Sequence, residues 1–221
     1  IVKSFQSSYW QAAVTGINQA CEELGVTANC TGPNAESDIA DQVNMLNNAI
    51  NSAPNGIGLA ACDAEAVLDS RQTALDKGIP VVCFVAGVPN APAGSVIATC
   101  ATDNYAAGSV AAENMYPALK DKIASAGAPV RVGEVNQDAT GANIIERGLG
   151  FIETFAKLAI ADGYKVAIIG NEKYVNDASA NVETVAEGEA DIIIEVAVPA
   201  QTTVELCATE ASAIMNKSDL I

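Results

Sequence analysis

The 221-residue sequence contains no histidine. Histidine-based triads, histidine-ligated zinc and the commonest general acid–base group are thereby removed from consideration. Basic residues are also scarce, 11 Lys and Arg against 27 Asp and Glu, for a formal net charge of -16. Such a surface repels phosphate backbones and anionic membranes, so nucleic acid is not expected as a partner. No apolar run approaches the ~20 residues that span a bilayer. Cys21, Cys30, Cys62, Cys83, Cys100 and Cys207 form no Cys-x-x-Cys and no ligand-like cluster, which argues against zinc and iron–sulfur centres. An even count permits disulfides in an exported protein, but the spacing assigns none, and most of these thiols are expected to be buried.

What is present is half hydrophobic and only 17% charged, the composition of a chain that folds around a core. Residues 1–5 read as a strand remnant, with no signal-peptide pattern before them, so the first residue looks like a mature or trimmed end. Residues 9–24 carry Trp10, Val14, Ile17, Cys21 and Leu24 at helical spacing, and Gly25 is a natural stop. A strand at 26–30, a helix at 36–50, a strand at 57–61, a helix at 64–77 and strands at 79–85 and 95–101 follow. The strands are continuous apolar runs, as a parallel sheet covered by helices requires. The pattern then restarts with a helix at 105–119, a strand at 130–135, a helix at 143–159, strands at 164–170 and 191–198, and a helix at 204–216. Residues 171–190 are the least periodic and read as an exposed acidic excursion. The expectation is an α/β protein of two doubly wound lobes, residues 1–102 and 103–221, the second incomplete.

Nucleotide and hydrolase signatures are missing. Gly-x-Gly-x-x-Gly, the phosphate-binding Gly-x-x-x-x-Gly-Lys-Ser/Thr and the Gly-x-Ser-x-Gly elbow do not occur. No nucleophile–base pair stands out, so an enzyme is not expected, nor any cofactor or metal. Open α/β sheets bind ligands beyond the carboxyl ends of their strands. Those ends carry Gln6, Ser7, Ser8, Tyr9 and Trp10, then Cys62 and Asp63, Val85, Ala86 and Gly87, and Asn136, Gln137 and Asp138. Amides, hydroxyls and an aromatic pair suit small polyhydroxy or amphipathic molecules. Tyr9 and Trp10 are adjacent and point in different directions, so one of them is expected to face the ligand while the other packs in the core.

Four blocks in order carry a family resemblance. They are Ser4-Phe5-Gln6-Ser7-Ser8-Tyr9-Trp10-Gln11 with Glu23-Leu24-Gly25, Gly78-Ile79-Pro80-Val81-Val82, Ala101-Thr102-Asp103-Asn104-Tyr105 with Gly108, and Glu146-Arg147-Gly148-Leu149-Gly150-Phe151. The chain resembles the type I periplasmic sugar-binding proteins, the ribose/galactose-binding group that shares its fold with the ligand core of LacI-type repressors. The resemblance implies an extracytoplasmic receptor, periplasmic or membrane-tethered at the cell surface. It would close by a hinge on a sugar-like molecule and deliver it to the permease of an ABC importer. It implies ligand contacts at Ser7, Tyr9, Trp10, Arg147 and Thr202, to which the strand-end reading adds Asp138, and a hinge at Thr102 and Asp103. Arg147 has a structural alternative as an ion-pair partner of Glu146 or Asp138.

Two departures accompany it. The family commonly places Asp after the strand that ends near Phe84, and this chain has Val85 and Ala86. A ligand less polar than a free sugar, or an altered pocket, is implied. The family also continues beyond the equivalent of Ile221, so a second chain completing the fold is a possible partner. The alternative reading is a LacI-like effector-sensing core.

Overall fold

The computed structural model describes residues 1–221. The chain divides into two compact units, residues 1–101 with 140–142, and residues 102–139 with 143–221.

The N-terminal unit contains α1 (Ser8–Leu24), α2 (Ile39–Asn51), β1 (Ile57–Leu59), α3 (Leu68–Asp76), β2 (Val81–Phe84) and β3 (Ala98–Cys100). The strands form a parallel sheet in the order β1-β2-β3, with Ile57 opposite Val81 and Val82 opposite Ala98. Leu46 and Ile50 of α2 and Ala74 of α3 pack on Ile57, Leu59, Val81 and Cys83. The opposite face is covered only near its carboxyl end, where Trp10 of α1 meets Ala60 and Val2. Val82 (41%) and Ile97 (65%) are consequently exposed.

Residues 1–5 do not form the expected regular strand. They bend at Lys3 and Phe5 and are tied down singly: the Ala60 N–H donates to the Ile1 carbonyl at 3.0 Å, Val2 N–H to Thr31 at 2.9 Å and Phe5 N–H to Pro33 at 2.8 Å. Residues 26–30 are irregular for the related reason that the partner bonds fall on Thr31 and Pro33 instead. The third helix begins at Leu68, later than its apolar pattern suggested, because the Asp63 carboxylate accepts the Glu65 and Ala66 N–H groups and holds a turn there. All six cysteines are free, and fewer are buried than expected: only Cys62 and Cys83 are, while Cys21, Cys30 and Cys207 are half-buried and Cys100 on β3 is exposed.

The C-terminal unit contains α4 (Asn104–Ser125), β4 (Val130–Val135), α5 (Ala142–Ala161), β5 (Val166–Gly170), α6 (Glu172–Ser179), a 3-10 turn (Glu187–Glu189), β6 (Ile192–Ala197) and α7 (Val204–Met215). Its parallel sheet runs β4-β6-β5. The core joins Ala112 and Tyr116 of α4, Ile152, Phe155 and Ala159 of α5, and Val132, Ile168, Ile192 and Ile194 of the strands. Phe155 meets Tyr116 edge-on at 5.2 Å, a favoured aromatic geometry. The expected excursion at 171–190 is instead ordered. Tyr174 and Ala178, one helical turn apart, are both fully buried, and the Tyr174 hydroxyl donates to the Asp138 carbonyl at 2.8 Å.

Asp219 to Ile221 extend this sheet beside β4. Arg131 N–H donates to the Asp219 carbonyl at 2.7 Å, and Ile221 N–H to the Arg131 carbonyl at 3.2 Å. The buried Arg131 guanidinium also reaches Asp219 (3.0 Å), Glu195 (2.6 Å) and Glu187 (3.2 Å), and Lys217 shares Glu195. Arg131→Met keeps the packing stem but leaves three carboxylates with one cation. Because Glu187 and Asp219 are well solvated, the expected loss is about 1–2 kcal/mol. A urea midpoint that is lowered for Arg131→Met and scarcely moved for Lys120→Met, an exposed single pair, is the check.

Candidate functional site

In the N-terminal unit the strand ends bring together the segment before α1, the start of α1 and the turn after β2. Ser7 is the N-cap of α1 in extended conformation, and its hydroxyl does not cap the helix. Tyr9 is 59% exposed and Trp10 only 2%. Trp10 packs edge-on to Phe84 at 6.2 Å and to Tyr9 at 5.1 Å, and its indole N–H donates to the Glu36 carboxylate at 2.8 Å. Successive helical residues point about 100° apart, so an adjacent pair divides in this way between core and rim. Glu36, which also pairs with the buried Lys3 at 3.8 Å, carried no recognisable signal in the sequence.

The turn after β2 is strained. Val85 has φ +63°, a left-handed conformation that a β-branched residue rarely adopts. Its N–H donates to the Cys100 carbonyl at 2.9 Å, and the following Ala86 N–H reaches back to the Phe84 carbonyl at 2.7 Å. That i to i+2 bond closes a γ-turn of the positive-φ kind, which costs roughly 1–3 kcal/mol.

In the C-terminal unit the corresponding strand end carries Glu134, Asn136, Gln137 and Asp138. The Asn136 amide donates to Glu134 Oε1 at 2.9 Å, while Glu134 Oε2 is closed off from solvent without a hydrogen-bond partner. Burial pushes this carboxyl up to about 8, against a smaller downward pull from Asn136. Burial, and then the Asp138 and Glu134 carboxylates, push the neighbouring Tyr174 phenol upward, so it stays a donor to Asp138. Gly148 is where α5 passes Asn136 and Tyr174, leaving no room for a side chain.

The exposed Arg147 donates to Asn104 Oδ1 at 2.5 Å, and the Asn104 amide donates to the Thr102 carbonyl at 2.9 Å. Asp103 caps α4, accepting the Ala106 N–H at 2.9 Å. Arg147, Thr102 and Asp103 are therefore brought together at the start of α4, and Arg147 also lies near Tyr174, which bonds Asp138. Thr202 follows β6; its hydroxyl is enclosed and unpartnered, while the next residue, Thr203, caps α7. Glu134 was missed in the sequence because a lone acid inside an apolar strand looks the same whether its carboxyl turns in or out. No cluster of Cys, Asp and Glu could hold a metal ion, and no helix is long and apolar enough to cross a membrane.

Two parallel α/β units, each with polar and aromatic groups at the carboxyl ends of its strands, define a ligand-binding architecture of the open-sheet kind. The chain belongs to the family described as periplasmic binding protein domain, which matches residues 1–205. It is similar to a solved structure from Brachyspira murdochii described as an ABC transporter, LacI family transcriptional regulator. Identity is 28% and TM-score 0.69 over 96% of this chain and 59% of that one. An ABC transporter solute-binding protein from Agrobacterium vitis with bound D-fucose matches at 25% identity and TM-score 0.60, over 80% of this chain and 69% of that one. The same fold recurs in the periplasmic component of a sugar transport system from Hahella chejuensis, at 22% identity and TM-score 0.71 over 98% and 65% of the two chains. This chain thus spans about three-fifths of the length of the Brachyspira protein. No curated protein matches it.

Proposed function

We propose that the protein binds a small sugar or sugar-like solute, without transforming it, and presents it to the permease of an ABC importer from an extracytoplasmic location. The observation that carries this is the pair of polar strand-end rims within a chain of the periplasmic binding family, one in each unit. Tyr9 offers an exposed ring face and Ser7 a hydroxyl not used in capping. Asp138, Arg147 and the enclosed Thr202 hydroxyl supply acceptors and donors. Ligand contacts in both units would favour a closed arrangement by differential affinity, with Thr102 and Asp103 at the chain crossing as the hinge. The net charge of -16 weighs against the DNA-bound regulator reading.

The test is thermal shift and small-angle scattering across pentoses, hexoses and deoxy sugars. A binding sugar should raise the melting temperature and reduce the radius of gyration. Tyr9→Ala and Arg147→Ala should each weaken that binding by about 1.5–3 kcal/mol in the Arg case and less in the Tyr case. No shift and no compaction with any sugar would overturn the proposal.

A further inference from the structure

We infer that Arg71 and Ser95 form a buried site for one small monovalent anion, of chloride size, which clasps the loop between β2 and β3 onto α3. The Ile97 N–H donates to the Val81 carbonyl at 2.8 Å, which places the end of that loop at the amino ends of the strands, away from the strand-end rims. The inference therefore does not depend on the solute-binding reading.

Arg71 occupies a core position. Val67 and Ala74, one helical turn to either side of it, are both packed in the N-terminal core. Arg71 is 0% exposed and Ser95 only 3%. One guanidinium nitrogen, Nη2, donates to the Ser95 carbonyl. Nε and Nη1 are enclosed without a partner, and so is the hydroxyl of the same Ser95. Three of the protein's five enclosed, unpartnered side-chain polar atoms thus fall at one place. All three can donate a hydrogen bond.

The charge is uncompensated as well. Burial pushes the Arg71 pKa downward, yet a guanidinium keeps its proton at any ordinary pH. No carboxylate pairs with it. Residues 77–102, which supply β2, the loop and β3, contain no Asp or Glu. Asp41 of α2 and Asp69 and Asp76 of α3 are all exposed. The Cys83 thiol does act on Arg71, but burial pushes the thiol up, so it stays neutral. A buried cation without a counter-charge is strongly destabilising. A water molecule could accept two of the free hydrogen bonds but would leave the charge standing. A small anion meets both needs, and Val88, Ala91 and Val96 of the loop, packed in the same core, leave a dry setting for it.

The experiment is thermal melting of chloride-free protein in sodium gluconate, with chloride, bromide or sulfate replacing gluconate at constant ionic strength. Wild type, Arg71→Met and Ser95→Ala are compared, and anomalous diffraction is recorded from wild-type crystals grown in bromide. Wild type should gain about 4 °C or more, saturably, in chloride and in bromide. Arg71→Met should lose that gain, and in gluconate it should melt no lower than wild type, because an unpaired buried charge is gone. Ser95→Ala should need about 10-fold more chloride for the same gain. Sulfate, too large for an enclosed site, should shift wild type and Arg71→Met alike. A bromide peak should lie beside the Arg71 guanidinium. An equal chloride response in wild type and Arg71→Met, or a water in place of bromide, overturns the inference. A bromide peak without a melting response marks binding at crystal concentration only and overturns it too. If Arg71→Met does not fold, the Ser95→Ala titration and the bromide map decide.

Discussion

Alanine at Gly150 is expected to destabilise the C-terminal unit by about 3 kcal/mol or more, and alanine at Gly108 by a similar amount. These two glycines are where α4 and α5 cross. A Cβ at Gly150 would strike the Tyr105 carbonyl oxygen and lie 2.9 Å from its carbon. One at Gly108 would strike the Arg147 carbonyl oxygen and lie 2.8 Å from the Phe151 nitrogen. Both obstacles are backbone, so no rotamer change relieves them and the helices must separate. Separation would loosen the bonds across the crossing: Ser109 Oγ to the Gly150 carbonyl at 3.3 Å, Thr154 Oγ1 to Ser109 at 2.9 Å, and the Tyr105 hydroxyl to Glu153 at 2.7 Å. Gly16, on α1, is the matched control, since a Cβ there meets nothing within 4 Å. Gly16→Ala should stabilise by about 0.5–1 kcal/mol through helix propensity alone. Urea unfolding of the three variants decides the matter. Similar midpoints for Gly16→Ala and Gly150→Ala would show that the crossing is not tight.

Those glycines also show what kind of information the sequence held. Gly108 and the run Gly148, Leu149, Gly150 stood out as parts of ordered blocks, but only the packing reveals that they make a helix crossing and a passage beside Tyr174. Long helices were legible because their apolar spacing is local: α1 ends at Leu24, and Gly25 at φ 68° terminates it as expected. The strands of the C-terminal unit were legible as apolar runs. The N-terminal residues were not, because whether an extended segment becomes a regular strand depends on where its partners' bonds fall. α6 escaped notice because only Tyr174, Val175 and Ala178 meet the core from an otherwise polar, acidic stretch. Of Tyr9 and Trp10, the sequence showed that they diverge but not which one turns inward. That choice follows from Glu36 being in place to accept the indole N–H. The strain at Val85 was invisible too, since φ is set by the Cys100 and Phe84 carbonyls that hold the turn, not by the valine itself.

Stability should fall as pH rises from about 4.5 to about 8, and Glu134→Gln should remove that part of the fall. The Glu134 carboxyl has its pKa raised from 4.5 to about 8 in the folded protein. The folded state therefore holds this proton more tightly than the unfolded state. The favourable contribution is complete below about 4.5, is lost as pH rises through about 8, and stays lost above it. The span corresponds to at most about 5 kcal/mol. Asn136 donates to one oxygen, but the other has no partner, and the charges around this strand end give no compensation. Arg147 acts on the nearby Tyr174 from α5, yet its guanidinium is bonded to Asn104. Asp138, also beside Tyr174, carries the same sign of charge as an ionised Glu134. Glutamine keeps the shape and the Asn136 contact while remaining neutral at every pH. The difference in unfolding free energy between Glu134→Gln and wild type should thus be small at pH 5 and grow to several kcal/mol by pH 9. Other shifted groups, including Glu146, which burial and Asp103 push upward, and Asp219, which Arg131 holds down, are common to both proteins and cancel in that difference. A difference that stays constant from pH 5 to pH 9 would mean that the Glu134 carboxyl is solvated, and that the carboxyl end of β4 is open to water rather than closed around it.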